Sequence, residues 1–277
     1  ISDLLRYGLI TNTAESINLA LGENFTSYAT ESRWRSVGVF ARINYSYDNK
    51  YLIELNGRYD GSSKFPTNQQ WGFFPSVSAA WRVSGERWWN VNPNILSSLK
   101  IRGSWGELGN ANVGVYSFIE TFNIDNLSYV IDGVSKPRIT SIPSQIPDGL
   151  TWETSRTIDG GIDVGFYNGK INLTADYYVR NTLDMYTVGP TLPDTYGASA
   201  PKGNYADLVT RGFELSLSYD DSFKLGAHNL NVGFKATLAD NRSFITRYNN
   251  PTKSLGDYYV GQEIGEIWGY EFGGIFN

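Results

Sequence analysis

The sequence predicts an all-β fold: the wall of an antiparallel barrel that crosses a membrane on about eight to ten amphipathic, meandering strands. Three observations point to it. Runs of about ten residues alternate apolar and polar side chains, the signature of strands with two unlike faces. The connections between those runs alternate between short and long. Aromatic residues collect toward both ends of the runs. Such runs match the length of a tilted membrane-crossing strand and exceed the ~5–6 residues usual in soluble sheets.

The first pair lies at 35–59. Val37, Val39, Ala41, Ile43, Tyr45 and Tyr47 share one face, and Ser36, Gly38, Arg42, Asn44 and Ser46 share the other. After Asp48-Asn49-Lys50, the apolar set resumes with Tyr51, Ile53, Leu55, Gly57 and Tyr59, against Leu52, Glu54, Asn56, Arg58 and Asp60. Residues 76–84 set Val77, Ala79, Trp81 and Val83 against Ser76, Ser78, Arg82 and Ser84. Residues 98–106 set Leu99, Ile101, Gly103 and Trp105 against Lys100, Arg102 and Ser104. In 152–166, Trp152, Ile158, Ile162, Val164 and Phe166 oppose Glu153, Ser155, Thr157, Asp159 and Asp163, with Arg156 interrupting the apolar face near one end. Asn168-Gly169 then signals a tight hairpin, because both residues tolerate positive φ. Ile171, Leu173, Ala175, Tyr177 and Val179 follow, then a run at 209–219 carrying Phe213, Leu215 and Leu217, and a run at 230–238 carrying Leu230, Val232, Phe234 and Leu238.

Short connections are expected at 48–50, 85–97, 167–169 and 220–229, and long ones at 61–75, 107–151, 181–208 and beyond 239. Short turns on one side and long loops on the other are the habit of membrane barrels. Tyr45, Tyr47, Tyr51, Trp81, Phe166 and Tyr219 would form an aromatic belt toward the short turns, and Tyr59, Trp105 and Trp152 one toward the long loops. The competing reading is a soluble extracellular carbohydrate-binding β-sandwich, with these aromatics in its core. A β-rich glycosidase is a more distant third. Loop sorting and strand length favour the barrel.

Composition excludes several classes. Asp and Glu number 28 against 23 Lys and Arg, a net charge of −5, which argues against nucleic-acid binding. No apolar run reaches the length of a membrane helix. Cysteine is absent, so there are neither disulfides nor thiolate metal sites. The single histidine, His228, sits in a polar turn with no relay or metal partner nearby in sequence. The stretch from Gly103 to Gly109 lacks the spacing of a phosphate loop. Glu54, Asp60 and Asp163 read as a polar lining of regular strands rather than a glycosidase pair. Asp125, Asp132, Asp148 and the stretch 240–250 lack a calcium-loop spacing. Neither enzymatic activity, a cofactor nor a metal is expected. The chain starts at Ile1 without a signal peptide and stops in mid-pattern, so it reads as an internal piece of a longer protein.

Specific motifs sharpen this. Arg58-Tyr59-Asp60-Gly61-Ser62-Ser63-Lys64-Phe65, followed by Trp71-Gly72-Phe73-Phe74-Pro75 and Ala79-Ala80-Trp81-Arg82, resembles the central barrel segment of SusC/RagA-type TonB-dependent transporters. Leu99 to Gly106 with Gly109-Asn110, Trp152-Glu153-Thr154-Ser155, Thr210-Arg211-Gly212-Phe213-Glu214-Leu215 and Gly261-Gln262-Glu263-Ile264-Gly265 follow in the order of that family, so the resemblance covers about residues 32–277. It implies a 22-stranded, plugged barrel in the outer membrane of a Gram-negative bacterium. It further implies import of glycan or peptide fragments, a SusD-like lid lipoprotein, and TonB acting through a plug domain absent from this stretch. Residues 1–31 would be an extracellular loop or partial strand. Residues 32–241 would be barrel strands with periplasmic turns and extracellular loops, and 242–277 an extracellular region leading to further strands. Ligand contact is expected from lumenal Arg58, Asp60, Arg82 and Arg102, and from the loop aromatics Trp71, Phe73, Phe74, Tyr196 and Tyr205, which can stack on or hydrogen-bond to a ligand.

Overall fold

The computed structural model describes residues 31–122, 124–126, 138–140, 146, 149–197, 200–226, 228–271 and 273–274. The chain divides into two compact units, residues 1–35 and 36–277. The described part of the first, 31–35, has no regular structure, and Arg33 pairs with Glu31. Residues 1–30, expected as loop or partial strand, lie outside the described residues.

The second unit is built on one antiparallel sheet. Its strands are β1 (Ser36–Tyr47), β2 (Tyr51–Ser62), β3 (Trp71–Trp81), β4 (Ser98–Asn110), β7 (Glu153–Phe166), β8 (Ile171–Val188), β9 (Lys202–Leu225) and β10 (His228–Arg247), paired in that order. A separate two-stranded ladder, β5 (Ile124–Asn126) with β6 (Arg138–Thr140), lies in the connection between β4 and β7. Strand order follows chain order, as in a meander. Among the described strands β1 and β10 each pair with a single neighbouring strand, and the outer edge of β10 is covered near Ser243 and Ile245 by residues 261–264, through an antiparallel bridge between Phe244 and Glu263.

Register settles which residues share a face, because directly paired residues point the same way. One row of paired residues runs through all eight strands: Tyr47, Tyr51, Trp81, Ile101, Ile162, Ala175, Leu215 and Leu238. All eight are apolar or aromatic, although they come from eight separate segments. The next residue along each strand gives the other face: Ser46, Leu52, Ala80, Arg102, Gly161, Asp176, Glu214 and Ala239. The apolar face is not covered. Ile43 is 64% exposed, Ile158 55%, Leu217 44% and Leu238 60%. The sandwich reading requires these side chains between two sheets; they lie instead on one open face of a single sheet. So large a contiguous apolar surface has to meet lipid or protein.

The apolar band also shifts along the strands. On β1 it spans Val37–Tyr47, so its middle lies about five residues above the common row, toward the long loops. On β10 it spans Leu230–Leu238, with its middle about four residues below that row. The shift is about nine residues over about seven strand steps. At ~3.4 Å per residue and ~4.8 Å per strand this is ~31 Å against ~34 Å. A level band therefore requires strands tilted by roughly 40°, within the ~35–45° of membrane barrels.

Turn chemistry explains the tight ends. Asp48 (φ 50°) and Asn49 (φ 52°) supply two positive-φ residues between β1 and β2, closed by the Lys50 N–H on the Tyr47 carbonyl at 3.0 Å. The β7–β8 turn is centred one residue earlier than expected. Tyr167 (φ 50°) and Asn168 (φ 57°) form it, and the Gly169 N–H closes it on Phe166 at 3.0 Å.

Several strands run farther than their alternation shows. β3 starts at Trp71 and ends at Trp81, so Arg82 and Val83 leave the sheet for a short 3-10 turn at Val83–Gly85. β8 reaches Val188, β9 begins at Lys202 and β10 continues to Arg247. The expected long loops shrink accordingly, and the connection at 82–97 is longer than that at 63–70. The ladder between β3 and β4 covers only Ser76↔Gly106 to Trp81↔Ile101. It stops beside Pro75, which has no N–H to contribute. Above that point Phe65, Val113 and Leu150 form a buried cluster, joined by Trp152 and Tyr186. A second cluster, Ala206, Ile245 and Tyr248, also sits at the long-loop end.

At the short-turn end aromatic rings follow one another: Tyr47–Tyr51 and Tyr51–Trp81 at 6.4 Å, Trp81–Trp88 at 6.5 Å and Trp88–Trp89 at 6.3 Å. Their polar tips converge on Glu86, which accepts from the Tyr51 hydroxyl at 2.6 Å and the Trp81 indole at 3.0 Å. These two bonds hold the Glu86 carboxyl below the ordinary glutamate range. A depressed folded-state value means the stabilisation is fully present above the ordinary value and is lost as pH falls through the folded one. Acidification below the ordinary glutamate range should therefore shift tryptophan emission to the red. The shift should be missing from the Glu86→Gln protein, and an identical titration in both would count against this anchor.

Candidate functional site

The polar face carries the charged residues, and Arg102 on β4 is their hub. Register puts Gly161 of β7 opposite Arg102, and Asp176 of β8 opposite Gly161. Because position 161 has no side chain, Arg102 reaches across β7 and donates from Nη2 to Asp176 Oδ2 at 2.6 Å. A Cβ at Gly161 would lie 2.9 Å from the Arg102 Cζ, so any other residue there would obstruct the contact. Arg102 also lies 3.4 Å from Asp163 and 3.8 Å from Asp159. Asp163 accepts from Lys100 Nζ at 3.1 Å and from the Thr174 hydroxyl at 3.2 Å. Among the described residues, Asp176 Oδ1 is buried without a hydrogen-bond partner. With Glu214 paired to Asp176 in register, four carboxylates face two cations here. The patch is net negative and has one acceptor to spare.

Two cavities open on this face. One of ≈ 560 Å³ is lined by Asn44, Glu54, Ser78, Lys100, Arg102 and Asp159. The other, ≈ 810 Å³ and nearer the long loops, is lined by Phe40, Arg42, Arg58, Asp60, Phe74 and Leu108. Here Arg58 Nε donates to Asp60 at 2.5 Å and Arg42 Nε to Asn56 Oδ1 at 2.8 Å. The Phe74 ring is buried over the backbones of Gly72 and Gly109 and meets Trp152 edge-on at 5.5 Å. Rings, an aliphatic side chain and two guanidinium groups make this an amphipathic cavity. It could take a ligand with an apolar face and hydrogen-bonding groups.

Above the cavities the strand ends are tied together. Arg247 on β10 donates to Asp207 on β9 at 2.7 and 2.8 Å and to Asp184 on β8 at 2.8 Å. Asn204 bonds both to the N–H (3.0 Å) and to the carbonyl (3.1 Å) of Thr151, whose hydroxyl reaches Gln69 at 3.1 Å. Two connections at the long-loop end, those holding Gln69 and Thr151, are thus held on the sheet.

The expected ligand residues separate into groups. Arg58, Asp60, Phe74 and Arg102 line the two cavities. Trp71 and Phe73 belong to β3 rather than to a loop. Their register with Gly61 and Tyr59 puts them on the apolar face, where Trp71 stacks on Tyr59 at 5.0 Å. Arg82 lies beyond the end of β3 at the short-turn side, where its N–H donates to the Lys50 carbonyl at 2.7 Å. Tyr196 is exposed in a 3-10 turn at Asp194–Tyr196. Tyr205 packs against the cluster of Ala206, Ile245 and Tyr248. Trp152, expected in an aromatic belt, packs instead on Phe65 and Phe74. Sequence reading did not bring Lys100, Asp159, Asp163 and Asp176 together around Arg102, because only the register of the β4–β7 and β7–β8 ladders does so. Among the described residues no cluster of His, Asp and Glu is arranged to hold a metal ion, and Asp132 and Asp148 lie outside them.

Comparison with known proteins gives a consistent result. The sequence model of the family described as "TonB dependent receptor-like, beta-barrel" matches residues 3–274. TonB-dependent receptor P3 of Formosa agariphila is 29% identical over 287 residues, covering 96% of this chain and 27% of that protein. The TonB-dependent receptor SusC of Bacteroides thetaiotaomicron is 32% identical over 194 residues, covering 70% of this chain and 19% of that protein. A solved structure of the RagAB peptide transporter superposes with a TM-score of 0.68 at 25% identity, covering 86% of this chain and 25% of that one. The chain spans about a quarter of the length of such relatives.

Proposed function

Because the chain belongs to the TonB-dependent receptor-like β-barrel family, we propose that it is one wall of an outer-membrane importer of oligosaccharides or peptides, driven through TonB and served by a SusD-like surface lipoprotein. The observation that carries this is the apolar row that crosses all eight strands on one face, with the Arg102 charge network and both cavities on the other. In this reading the apolar face meets outer-membrane lipid and the polar face lines the lumen. The turn at 48–50 is periplasmic, and the connections at 63–70, 111–152 and 189–201 are extracellular. The wider cavity then opens toward the side from which a ligand arrives, with Arg58, Asp60 and Phe74 as contact residues. Arg102 lies deeper in the wall. Trp71 and Phe73 would sit at the membrane interface rather than in the ligand's path.

A lid would meet the long-loop end, and TonB would act through a plug. Uptake of labelled glycan and peptide fragments by cells carrying the full-length protein tests the reading. Uptake should stop when the proton-motive force is dissipated, and Arg58→Ala together with Phe74→Ala should slow it. Uptake indifferent to an uncoupler would refute active import.

A further inference from the structure

On the apolar face two arginines are paired directly across a ladder: Arg211 on β9 and Arg242 on β10. Like charges directly opposite in a sheet oppose the pairing. Both side chains are exposed, and protein groups do little to offset the repulsion. Among the described residues Arg211 forms no ion pair, and Arg242 has a single ion-pair partner, Glu263, at 3.9 Å. Asp240, one row nearer the short turns, is paired with Phe213. Their position is distinctive. Below the arginines come first Phe213 and Asp240 and then Leu215 and Leu238, so Arg211 and Arg242 stand just above the upper margin of the apolar band of these strands. Arg156 shows the contrast. It lies on the same face of β7, near the same height, and is neutralised by Glu107 at 2.7 Å.

We propose that Arg211 and Arg242 bind the phosphate of a lipid headgroup in the leaflet at the long-loop end. Two guanidinium groups side by side fit one phosphate through charge-assisted hydrogen bonds, and its negative charge relieves their repulsion. The acyl chains continue down the contiguous surface of Phe213, Leu215 and Leu238. A free anion would gain nothing from that surface, so the site selects a lipid. The inference rests on the membrane reading above.

The test uses full-length protein in mixed micelles carrying phosphorylated lipid A or its dephosphorylated counterpart, with lipid retention read by native mass spectrometry. Micelles have no leaflets, so the outcome does not depend on orientation. Wild-type protein should retain the phosphorylated lipid selectively. R211A/R242A should weaken that retention about tenfold or more, while R156A leaves it unchanged. Heat-modified gel migration checks that each variant folds. Equal retention of both lipids, or undiminished retention in R211A/R242A, overturns the proposal. Loss of retention on adding inorganic phosphate assigns the site to a free anion and overturns it too. Loss of self-association without loss of lipid would assign the face to a second copy of the chain. Protein that is monodisperse without detergent would refute the membrane reading itself; detergent dependence without phosphate selectivity would refute this inference alone.

Discussion

Replacing Ile162 with arginine should prevent or severely weaken assembly of the full-length protein into the membrane. Ile162 occupies the middle of the row from Tyr47 to Leu238, with Ile101 on one side and Ala175 on the other. A basic side chain at the bilayer midplane costs ~2–4 kcal/mol in a β-barrel, falling toward zero at the interfaces. Asp159→Asn, a nearly isosteric change on the opposite face of the same strand, should assemble normally. Urea titration of protein folded into lipid vesicles measures the difference. Equal midpoints for Ile162→Arg and Asp159→Asn would mean that the apolar face does not contact lipid.

Removing Arg102 should have the second largest effect. Its guanidinium lies within ion-pairing distance of Asp159, Asp163 and Asp176, and its side chain is 29% exposed. Arg102→Ala leaves Asp176 unpaired and Asp163 with Lys100 alone. Breaking a fully buried pair costs several kcal/mol and an exposed one less than about 1, so about 1–3 kcal/mol is expected here. Arg102→Lys should recover only part of it. One ammonium cannot bridge β7 and β8 as the planar fork does. Gly161→Val should resemble Arg102→Ala, since its side chain would occupy the space the guanidinium crosses. Unchanged stability in all three would show that the hub is incidental.

The sequence made the membrane-spanning halves of the strands readable because there one face is apolar and the other polar. The strict alternation of Ile171 to Val179 marks β8 without ambiguity. Its upper part, Arg180 to Val188, does not alternate cleanly, because Met185 and Tyr186 pack into two separate apolar clusters and register shifts lie between Thr182 and Met185 and between Met185 and Tyr186. β10 has the same difficulty near Ile245. The Trp71–Pro75 stretch resembled a loop because Gly72 and Pro75 punctuate it and its aromatics point both ways: Trp71 and Phe73 outward, Phe74 inward. Pair partners were out of reach for another reason. Arg102 and Asp176 are 74 residues apart, and only the register of two ladders brings them together. Both faces of the wall could therefore be read from local periodicity, whereas the charge network and the paired arginines could not.

The absence of cysteine from this stretch permits a direct test of the central claim, that one face of the sheet meets lipid and the other a water-filled lumen. Single cysteines would be placed from Thr157 to Val164 along β7 in the full-length protein, in a background with no other cysteine, and labelled with a nitroxide. A two-residue period is expected in collision with oxygen dissolved in the bilayer and with a water-soluble nickel chelate. Positions 158, 160, 162 and 164 should favour oxygen, and 157, 159 and 163 the chelate, with Gly161 left unsubstituted. The same accessibility at every position, or the opposite phase, would contradict it.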